Sequence, residues 1–366
     1  MRITAVREAF LKSTSLAGQV INPRANLPIL GNFLLNAQKG FLEITATNLE
    51  TTIINKIPVK VEEDGKITTP AKILIDFCQA VRGEQINLTS EKDSLFVKTG
   101  KAEASLPTIS PSEFPLVTQF ETGVSFEIDK NQLLESIAAV SFNASPEEGR
   151  PVLTGVLLSA SGGKLNLVAT DGYRLARKEL KVKGTLEAII VARALQEGAK
   201  ALAEQEDDSV EVSINKEKNQ ARLKTRDLAI TSRLLEGSYP NYEQIIPNSF
   251  VSEVTTDTKE LAEAIKLAAL FARDVGNVVR FEVTDKLINI SASTAQVGEA
   301  KTTIASELTG EGLKIAFNSR FLAECLTAIK SKEIRLSFSG TTSASLLRGA
   351  QDASLIYVVM PVRVQS

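Results

Sequence analysis

The sequence contains no histidine and no tryptophan, and each absence narrows the function that the chain can have. Histidine is the side chain most often used for acid–base catalysis near neutral pH and is the commonest metal ligand, so its absence disfavours an enzyme. Aromatic residues make up only 5% of the chain, which disfavours a single-strand binder that stacks bases on aromatic rings. The composition therefore argues against two large classes of function.

Cysteines and long apolar runs are also scarce. Cys78 and Cys325 are the only cysteines, and because neither has a partner at metal-ligand spacing we expect both to be thiols of the core. No apolar stretch approaches the roughly 18 residues that span a bilayer, so we expect a cytoplasmic protein without a membrane partner. Gly162-Gly163-Lys164 lacks the rest of a phosphate loop and predicts only a hairpin turn, so no cofactor is expected. Glu147-Glu148 and Asp207-Asp208 have no third carboxylate at metal-ligand spacing, so no metal is expected either.

What the sequence does contain is one pattern repeated three times. Leu42-Glu43-Ile44-Thr45 recurs as Leu165-Asn166-Leu167-Val168 and as Ile288-Asn289-Ile290-Ser291, at steps of 123 residues from 42 to 165 and from 165 to 288. Solenoid repeats are much shorter, so units of this length indicate whole domains. The 366 residues therefore predict three tandem domains of one fold, at 1–120, 121–250 and 251–366.

Each repeat has the same predicted order of helix, strands, helix and strands. Asp129 and Asp257 can cap the first helix of the second and third repeats, and Thr4 is the weaker cap of the first. Alternating apolar residues then predict strands, and Thr69-Pro70 and Asn318-Ser319 signal the second helices. Two helices on one side of an antiparallel sheet make a two-layer α+β domain. Exposed sheet edges at the two ends of the chain favour head-to-tail closure into a ring.

Basic residues recur at one position of the second helices. Aligning the repeats places Lys72, Arg193 and Arg320 together, just after each helix begins. One such residue is typical of a solvated helix face, but three at the same repeat position favour a common partner. If these helices line the inside of a closed ring, its wall attracts duplex phosphates without reading sequence. The net charge of −2 is then no objection, because we expect the acidic residues in loops or on other faces.

Two further segments differ from the rest of the pattern. Thr170-Asp171-Gly172-Tyr173-Arg174-Leu175 follows a predicted strand but departs from its counterpart Thr47-Asn48-Leu49-Glu50. It is either a simple glycine turn or a contact that only one repeat makes. Val358-Val359-Met360-Pro361-Val362-Arg363 is unusually apolar for the end of a chain, and methionine packs adaptably in peptide grooves.

Four stretches carry a resemblance to a known family: Arg24, Leu27-Pro28-Ile29-Leu30-Gly31-Asn32, Ala169-Thr170-Asp171-Gly172-Tyr173-Arg174-Leu175 and Tyr357-Val358-Val359-Met360-Pro361. With the triple repeat they make the whole chain similar to the bacterial sliding clamps, the beta subunits of DNA polymerase III. The resemblance implies three tandem clamp domains and a head-to-tail homodimer that forms a six-domain ring around double-stranded DNA. Such a ring tethers the replicative polymerase and other DNA-processing proteins, confers processivity and catalyses nothing itself. A clamp loader opens it.

The resemblance also implies three sets of site residues. The positions that face DNA match Arg24, Lys72, Arg150 and Arg193, to which the repeat adds Arg320. A pocket that binds a short peptide of each partner protein matches Leu153, Thr170, Gly172, Tyr173, Arg174, Leu175, Pro240, Ile245, Val358, Met360, Pro361, Val362 and Arg363. The contacts between the two subunits match Ala104, Leu106, Leu270 and Phe271.

Two other functions remain open on the sequence alone. The chain could be a protein-only scaffold whose ring or filament binds peptides and never meets DNA. It could also be a three-domain transferase or hydrolase with its site at a domain junction, in which Asp171 takes part in the chemistry. Charge reversal at Lys72, Arg193 and Arg320 separates the scaffold from a clamp, and substitution of Asp171 separates the enzyme from both.

Overall fold

The structure is a computed structural model of the chain, and it describes residues 1–22, 27–116, 120, 123–147, 149–217, 219–273, 276–294 and 298–363. Its contacts divide the chain into two compact units. The first unit consists of Met1–Leu134 and Arg193–Leu234, and the second consists of Glu135–Ala192 and Leu235–Ser366. Among the described residues, no helix is long and apolar enough to cross a membrane.

The described residues form α-helices and β-strands that are numbered here in chain order. The helices are α1 (Arg7–Ala17), α2 (Ala71–Ala80), α3 (Lys130–Val140), α4 (Ala192–Ala203), α5 (Thr258–Ala272) and α6 (Ser319–Ala328). The strands are β1 (Arg2–Val6), β2 (Asn32–Gln38), β3 (Phe41–Thr47), β4 (Thr51–Pro58), β5 (Lys60–Glu63), β6 (Gly65–Pro70), β7 (Gln85–Glu91), β8 (Ser94–Thr99), β9 (Ala102–Pro107), β10 (Val124–Asp129), β11 (Gly155–Ser161), β12 (Lys164–Thr170), β13 (Arg174–Lys181), β14 (Leu186–Val191), β15 (Ser209–Asn215), β16 (Gln220–Lys224), β17 (Leu228–Arg233), β18 (Ser252–Asp257), β19 (Val278–Val283), β20 (Leu287–Thr294), β21 (Gly298–Ala305), β22 (Glu307–Gly310), β23 (Leu313–Asn318), β24 (Glu333–Phe338), β25 (Ser345–Gly349) and β26 (Leu355–Val359).

The same order of elements occurs three times along the chain. Each repeat is a strand, a helix, four or five strands, a second helix and three strands, so that β1, β10 and β18 begin the three copies. The predicted alternation of helices and strands is confirmed. Leu42, Leu165 and Ile288, which defined the repeat in the sequence, are all fully buried in the third strand of their copy.

The prediction that a helix opens each repeat was wrong, because a short strand precedes it. In β1 the burial alternates, with Ile3 and Ala5 in the core and Arg2 and Val6 outside, which is the period of a strand. Thr4 therefore lies within β1, where its hydroxyl donates to Asn87 Oδ1 over 2.7 Å, and it caps no helix.

The caps of the later helices are confirmed. Asp129 Oδ1 accepts from the main-chain N–H of Gln132 over 2.9 Å, at the start of α3. Asp257 Oδ1 accepts from the N–H groups of Lys259 and Glu260, at the start of α5. These carboxylates satisfy donors that have no partner inside the helix, which fixes where the helix begins.

All the sheets are antiparallel. The first unit contains a sheet of order β5-β1-β7-β8-β9 and a sheet of order β10-β15-β16-β17-β4-β3-β2-β6. The second unit contains a sheet of order β14-β11-β12-β13-β26-β25-β24-β18-β22 and a sheet of order β21-β20-β19-β23. In two of these sheets a strand from one repeat pairs with a strand from the next, β4 with β17 and β13 with β26.

The helices pack on the sheets and close the cores. In the first unit α1 packs on β3, β4 and α2, and in the second α5 packs on β19, β20, β21 and α6. Phe281 and Phe317 meet edge to face in the second unit, with ring centroids 5.6 Å apart. Cys78 and Cys325 are fully buried, which confirms them as core thiols, and burial raises the pKa of Cys78 to about 12.

Candidate functional site

The segment between β12 and β13 is a tight turn held by its own side chains. Asp171 Oδ1 accepts from the main-chain N–H groups of Tyr173 and Arg174 over 2.9 and 3.0 Å. The hydroxyl of Thr170 donates to the carbonyl of Arg174 over 2.6 Å and accepts from the N–H of Gly172. Gly172 has φ +92°, a backbone conformation that strains other residues. The turn leaves Tyr173 68% exposed.

Arg174 is buried beneath this turn, and its guanidinium is bonded on several sides. Its Nε donates to Asp171 Oδ2 over 3.0 Å, its Nη2 donates to the carbonyl of Phe142 over 2.9 Å, and its Nη1 donates to Glu324 Oε2. The guanidinium carbon lies 5.5 and 4.5 Å from the ring centroids of Phe142 and Phe321. Arg174 therefore braces the turn from inside.

The C-terminal segment lies against the same turn. Strand β26 pairs with β13 so that Val358 is opposite Leu175. The N–H of Met360 then donates to the carbonyl of Tyr173 over 2.9 Å, and the N–H of Val362 donates to the carbonyl of Ala316 over 2.8 Å. The two unusual segments of the sequence are thus neighbours in the second unit.

An apolar cluster lies behind the turn and the C-terminal strand. Its buried members are Leu157, Val168, Leu175, Ile189 and Val358. Partly buried residues packed against it are Val152, Leu235, Tyr239, Tyr242, Ile246 and Ala344. The residues predicted for the pocket did not include these six.

The predicted pocket residues thus divide into two groups by exposure. Those accessible to a ligand, wholly or in part, are Gly172, Tyr173, Pro240, Ile245, Met360, Pro361, Val362 and Arg363. Those buried behind them are Leu153, Thr170, Arg174, Leu175 and Val358. The accessible group is called here the groove, after the pocket that the sequence predicts at these residues, and the buried group supports it.

The basic residues at the repeated helix position are exposed. Lys72, Arg193 and Arg320 each occupy the second residue of their helix, α2, α4 and α6. Arg193 Nε lies 2.7 Å from Glu197 Oε1, and Arg320 Nε lies 2.9 Å from Glu324 Oε1, in both cases one helical turn onward. The hydrogen bond from Arg193 to Glu197 raises the pKa of Arg193.

Arg150, a further predicted DNA-facing residue, is not on these helices. Arg150 is exposed beside the turn, since a Cβ added at Gly172 would lie 3.8 Å from Arg150 Nη1. Arg24 lies outside the described residues. Of the predicted DNA-facing residues that the structure describes, Lys72, Arg193 and Arg320 occupy the repeated helix position.

Glu324 joins one of these exposed arginines to the buried one. Its two carboxylate oxygens accept from Arg174 and Arg320 separately. Burial by itself raises the pKa of Glu324, but the hydrogen bonds from Arg174 and Arg320 outweigh it and hold that pKa below its ordinary value. The sequence analysis missed Glu324, and its only signal was the spacing of four residues from Arg320.

The predicted subunit-contact residues lie at sheet edges and on one helix. Ala104 and Leu106 belong to β9, which is one of the two edge strands of its sheet; Ala104 is half-buried and Leu106 is buried. Leu270 is 51% exposed near the end of α5, and Phe271 beside it is half-buried. In the second unit β21 is also an edge strand.

Comparisons with known proteins agree along the whole chain. Family models of the DNA polymerase III beta subunit match residues 1–118 (N-terminal domain), 127–241 (central domain) and 243–363 (C-terminal domain). The beta sliding clamp of Pseudomonas aeruginosa is 31% identical over 370 residues that cover all of both chains. Its crystal structure bound to griselimycin is similar over all of both chains, with a TM-score of 0.94 at 31% identity. The sliding clamp of Bacillus subtilis gives a TM-score of 0.95 at 26% identity, again over all of both chains.

Proposed function

The chain belongs to the bacterial DNA polymerase III beta subunit family, and we propose which of its surfaces bind DNA, a second copy of the chain and partner proteins. The protein is a DNA sliding clamp of three α+β domains and is not an enzyme. DNA and the polymerase are its partners. The exact domain boundaries and a cytoplasmic location stay predictions.

The surface that meets DNA, in this proposal, carries Lys72, Arg193 and Arg320. The observation that supports it is that all three are exposed at the second position of equivalent helices. Contacts of this kind go to phosphates, are independent of sequence and weaken with salt. Such contacts hold a duplex loosely enough for the ring to move along it. Contacts from Arg24 and Arg150 also stay predictions.

Closure of the ring follows from how the repeats already join. The third residue of β4, Ile53, pairs with the third residue of β17, Ile230. The third residue of β13, Ala176, pairs with the third residue of β26, Tyr357. At both joints the third residue of one strand is opposite the third residue of the other. If the joint between two copies follows this rule, Ala300, the third residue of β21, pairs with Ala104, the third residue of β9 in a second copy. Both of these strands are edges in the single chain, so the joint is available.

Two copies joined head to tail in this way make six repeats with no free edge of this kind. The next residues along the joint, Lys301 and Glu103 of the second copy, are opposite in charge, which suits cross-strand neighbours. The exposed Leu270 and half-buried Phe271 would pack at the same joint near Leu106 of the second copy. The proposed assembly is a homodimer.

The groove is the proposed attachment point for partner proteins. Its accessible side chains include Tyr173, Ile245 and Met360, which offer apolar contact beside the polar turn. Small apolar grooves of this kind bind short peptides through a few anchor residues. Solved clamps of Pseudomonas aeruginosa and Bartonella birtlesii are described as bound to griselimycin, which makes that compound a suitable probe here. We assign to the groove the replicative polymerase, the clamp loader and other proteins that carry a short clamp-binding peptide.

The experiment that tests the function uses the topology of DNA. The protein is loaded onto nicked circular DNA by its clamp loader, and the circle is then cut at one site. We expect retention on the circle and loss from the linear molecule, because a ring leaves only over an end. Equal retention on both forms would show that contacts rather than encirclement hold the protein. Loss from both forms would show that the protein does not encircle the DNA.

A further inference from the structure

Glu324 links the proposed DNA surface to the proposed groove. One of its oxygens accepts from Arg320, which is exposed on α6, and the other accepts from Arg174, which is buried under the turn. We propose that Glu324 is a positioning residue through which a phosphate bound by Arg320 strengthens ligand binding in the groove. This inference rests on the proposed function.

The groove depends on Arg174. Its guanidinium ties the turn, through Asp171, to the carbonyl of Phe142 and to α6, through Glu324. The turn also fixes the main chain of Met360, because the carbonyl of Tyr173 accepts a hydrogen bond from the N–H of Met360. Tyr173 and Met360 are accessible residues of the groove. A chain of hydrogen bonds through the turn and Arg174 connects the main chains of both residues to Glu324.

Two cations, Arg174 and Arg320, share the carboxylate of Glu324. The side chain of Arg174 is 7% exposed and that of Arg320 is 73% exposed, so the two contacts differ in strength. An exposed ion pair contributes little, whereas a charge-assisted bond to a buried guanidinium is stronger. When a phosphate binds the guanidinium of Arg320, Glu324 loses that hydrogen-bond donor. The carboxylate of Glu324 then interacts with Arg174 alone, and the hydrogen bond between them becomes stronger.

The repeats supply an internal comparison. In the first unit Arg193 and Glu197 reproduce the pair at the same position of α4, with a distance of 2.7 Å. Thr51 begins β4 as Arg174 begins β13, and threonine carries no cation for Glu197 to bind. The three-residue link therefore occurs in the unit that holds the groove, and its two-residue counterpart in the other unit provides a control.

Coupling of this kind must act in both directions. If duplex DNA raises the affinity of the groove, a ligand in the groove raises the affinity of the ring for DNA by the same factor. A clamp with a partner attached would then hold its DNA more firmly than an empty one. Couplings between sites commonly amount to a factor of about five or more.

The experiment measures griselimycin affinity by calorimetry with and without a saturating short duplex of mixed sequence. For the wild type we expect the duplex to tighten binding about fivefold. Glu324→Gln should remove this dependence, and its matched control Glu197→Gln should keep it. Arg320→Ala leaves Glu324 to Arg174 alone, so it should bind griselimycin more tightly than the wild type without DNA and gain nothing from the duplex.

The outcomes separate this inference from the function beneath it. If the wild type binds griselimycin equally with and without duplex, or if Glu324→Gln responds to duplex as the wild type does, the coupling is wrong while the groove stands. If griselimycin does not bind the wild type at all, the groove assignment fails and the coupling fails with it. Because Arg320 is exposed, Arg320→Ala tests the link even where Glu324→Gln lowers stability.

Discussion

Tyr173 and Met360 are joined through their main chains, the N–H of Met360 donating to the carbonyl of Tyr173 over 2.9 Å. Both side chains are exposed, at 68% and 39%, although the strands that lead to them are buried. The bond brings a turn in the middle of the chain against the C-terminal segment. A substitution in the turn or in the C-terminal segment should therefore alter ligand binding at the same groove.

Substitution of Gly172 should remove ligand binding at the groove without breaking the ring. Gly172 has φ +92°, which costs other residues about 1–2 kcal/mol, and the indole of Gly172→Trp would also project beside Arg150. We expect griselimycin affinity to fall about tenfold or more, as it does when a hot-spot contact is lost. The control is Gly162→Trp, in a hairpin turn with φ +58°, where an added Cβ would have no other atom within 4 Å. Equal affinity in the two variants would remove the groove assignment.

Truncation from Met360 onward tests the other side of the groove. It removes the bond to Tyr173 and the apolar side chain of Met360, so polymerase binding should be lost. The molar mass in solution should stay that of the full-length assembly, because β9 and β21 remain. A truncated chain that still binds the polymerase as the intact one does would show that the C-terminal segment is not part of the site.

Reversal of charge at the repeated helix position should weaken the hold on DNA. In Lys72→Glu/Arg193→Glu/Arg320→Glu we expect poor loading and a smaller dependence of DNA binding on salt. Each lost phosphate contact lowers the magnitude of the slope of log K against log salt concentration by about 0.9. The matched control reverses Lys183, Lys216 and Lys286, which are exposed in turns between strands. If both triple variants lose DNA equally, only net charge matters and the helix position has no special role.

A charge swap tests the proposed joint between subunits. Glu103→Lys or Lys301→Glu alone should place like charges opposite each other and weaken the dimer, by up to about 1 kcal/mol. The double variant restores opposite charges and should recover much of the loss, as measured by sedimentation equilibrium. Glu103 also pairs with Lys98 in its own chain, so Lys98→Ala is needed to isolate that contribution. A double variant weaker than either single one would place the joint elsewhere.

The pH dependence of stability should reveal the role of Glu324. The pKa of Glu324 in the folded chain is below the ordinary 4.5. The stability that its ionised carboxylate contributes is therefore complete above pH 4.5 and is lost as the pH falls through the folded pKa. The difference in unfolding temperature between the wild type and Glu324→Gln should be constant at neutral pH and shrink only in acid. A difference that shrinks already between pH 7 and 6 would contradict the pairing with Arg174 and Arg320.

The repeat, the caps and the strand alternation could be predicted because each depends on neighbours in sequence. Asp129 and Asp257 act on N–H groups two or three residues away, and that spacing is visible in the chain. Strand β1 was missed because its five residues continue directly into α1 without a turn. Short elements of this kind are specified by their partners, here β5 and β7.

The supports of the groove could not be predicted in the same way. The partners of Arg174 lie 32 and 150 residues away along the chain, at Phe142 and Glu324. An arginine in a polar turn gives no sign in sequence that its guanidinium is buried. Leu175 and Val358 were assigned to the pocket itself, and only the pairing of β13 with β26 shows that they lie in the core behind it.

The most direct measurement joins the two chains covalently while they surround DNA. Glu103→Cys and Lys301→Cys place one thiol on each side of the joint, and cross-strand neighbours are close enough for a disulfide. The native Cys78 and Cys325 are buried and should stay reduced. After loading onto nicked circular DNA and oxidation, the ring should remain on the circle in denaturing detergent and be released when the circle is cut. A cross-linked protein that leaves the intact circle in detergent would contradict encirclement.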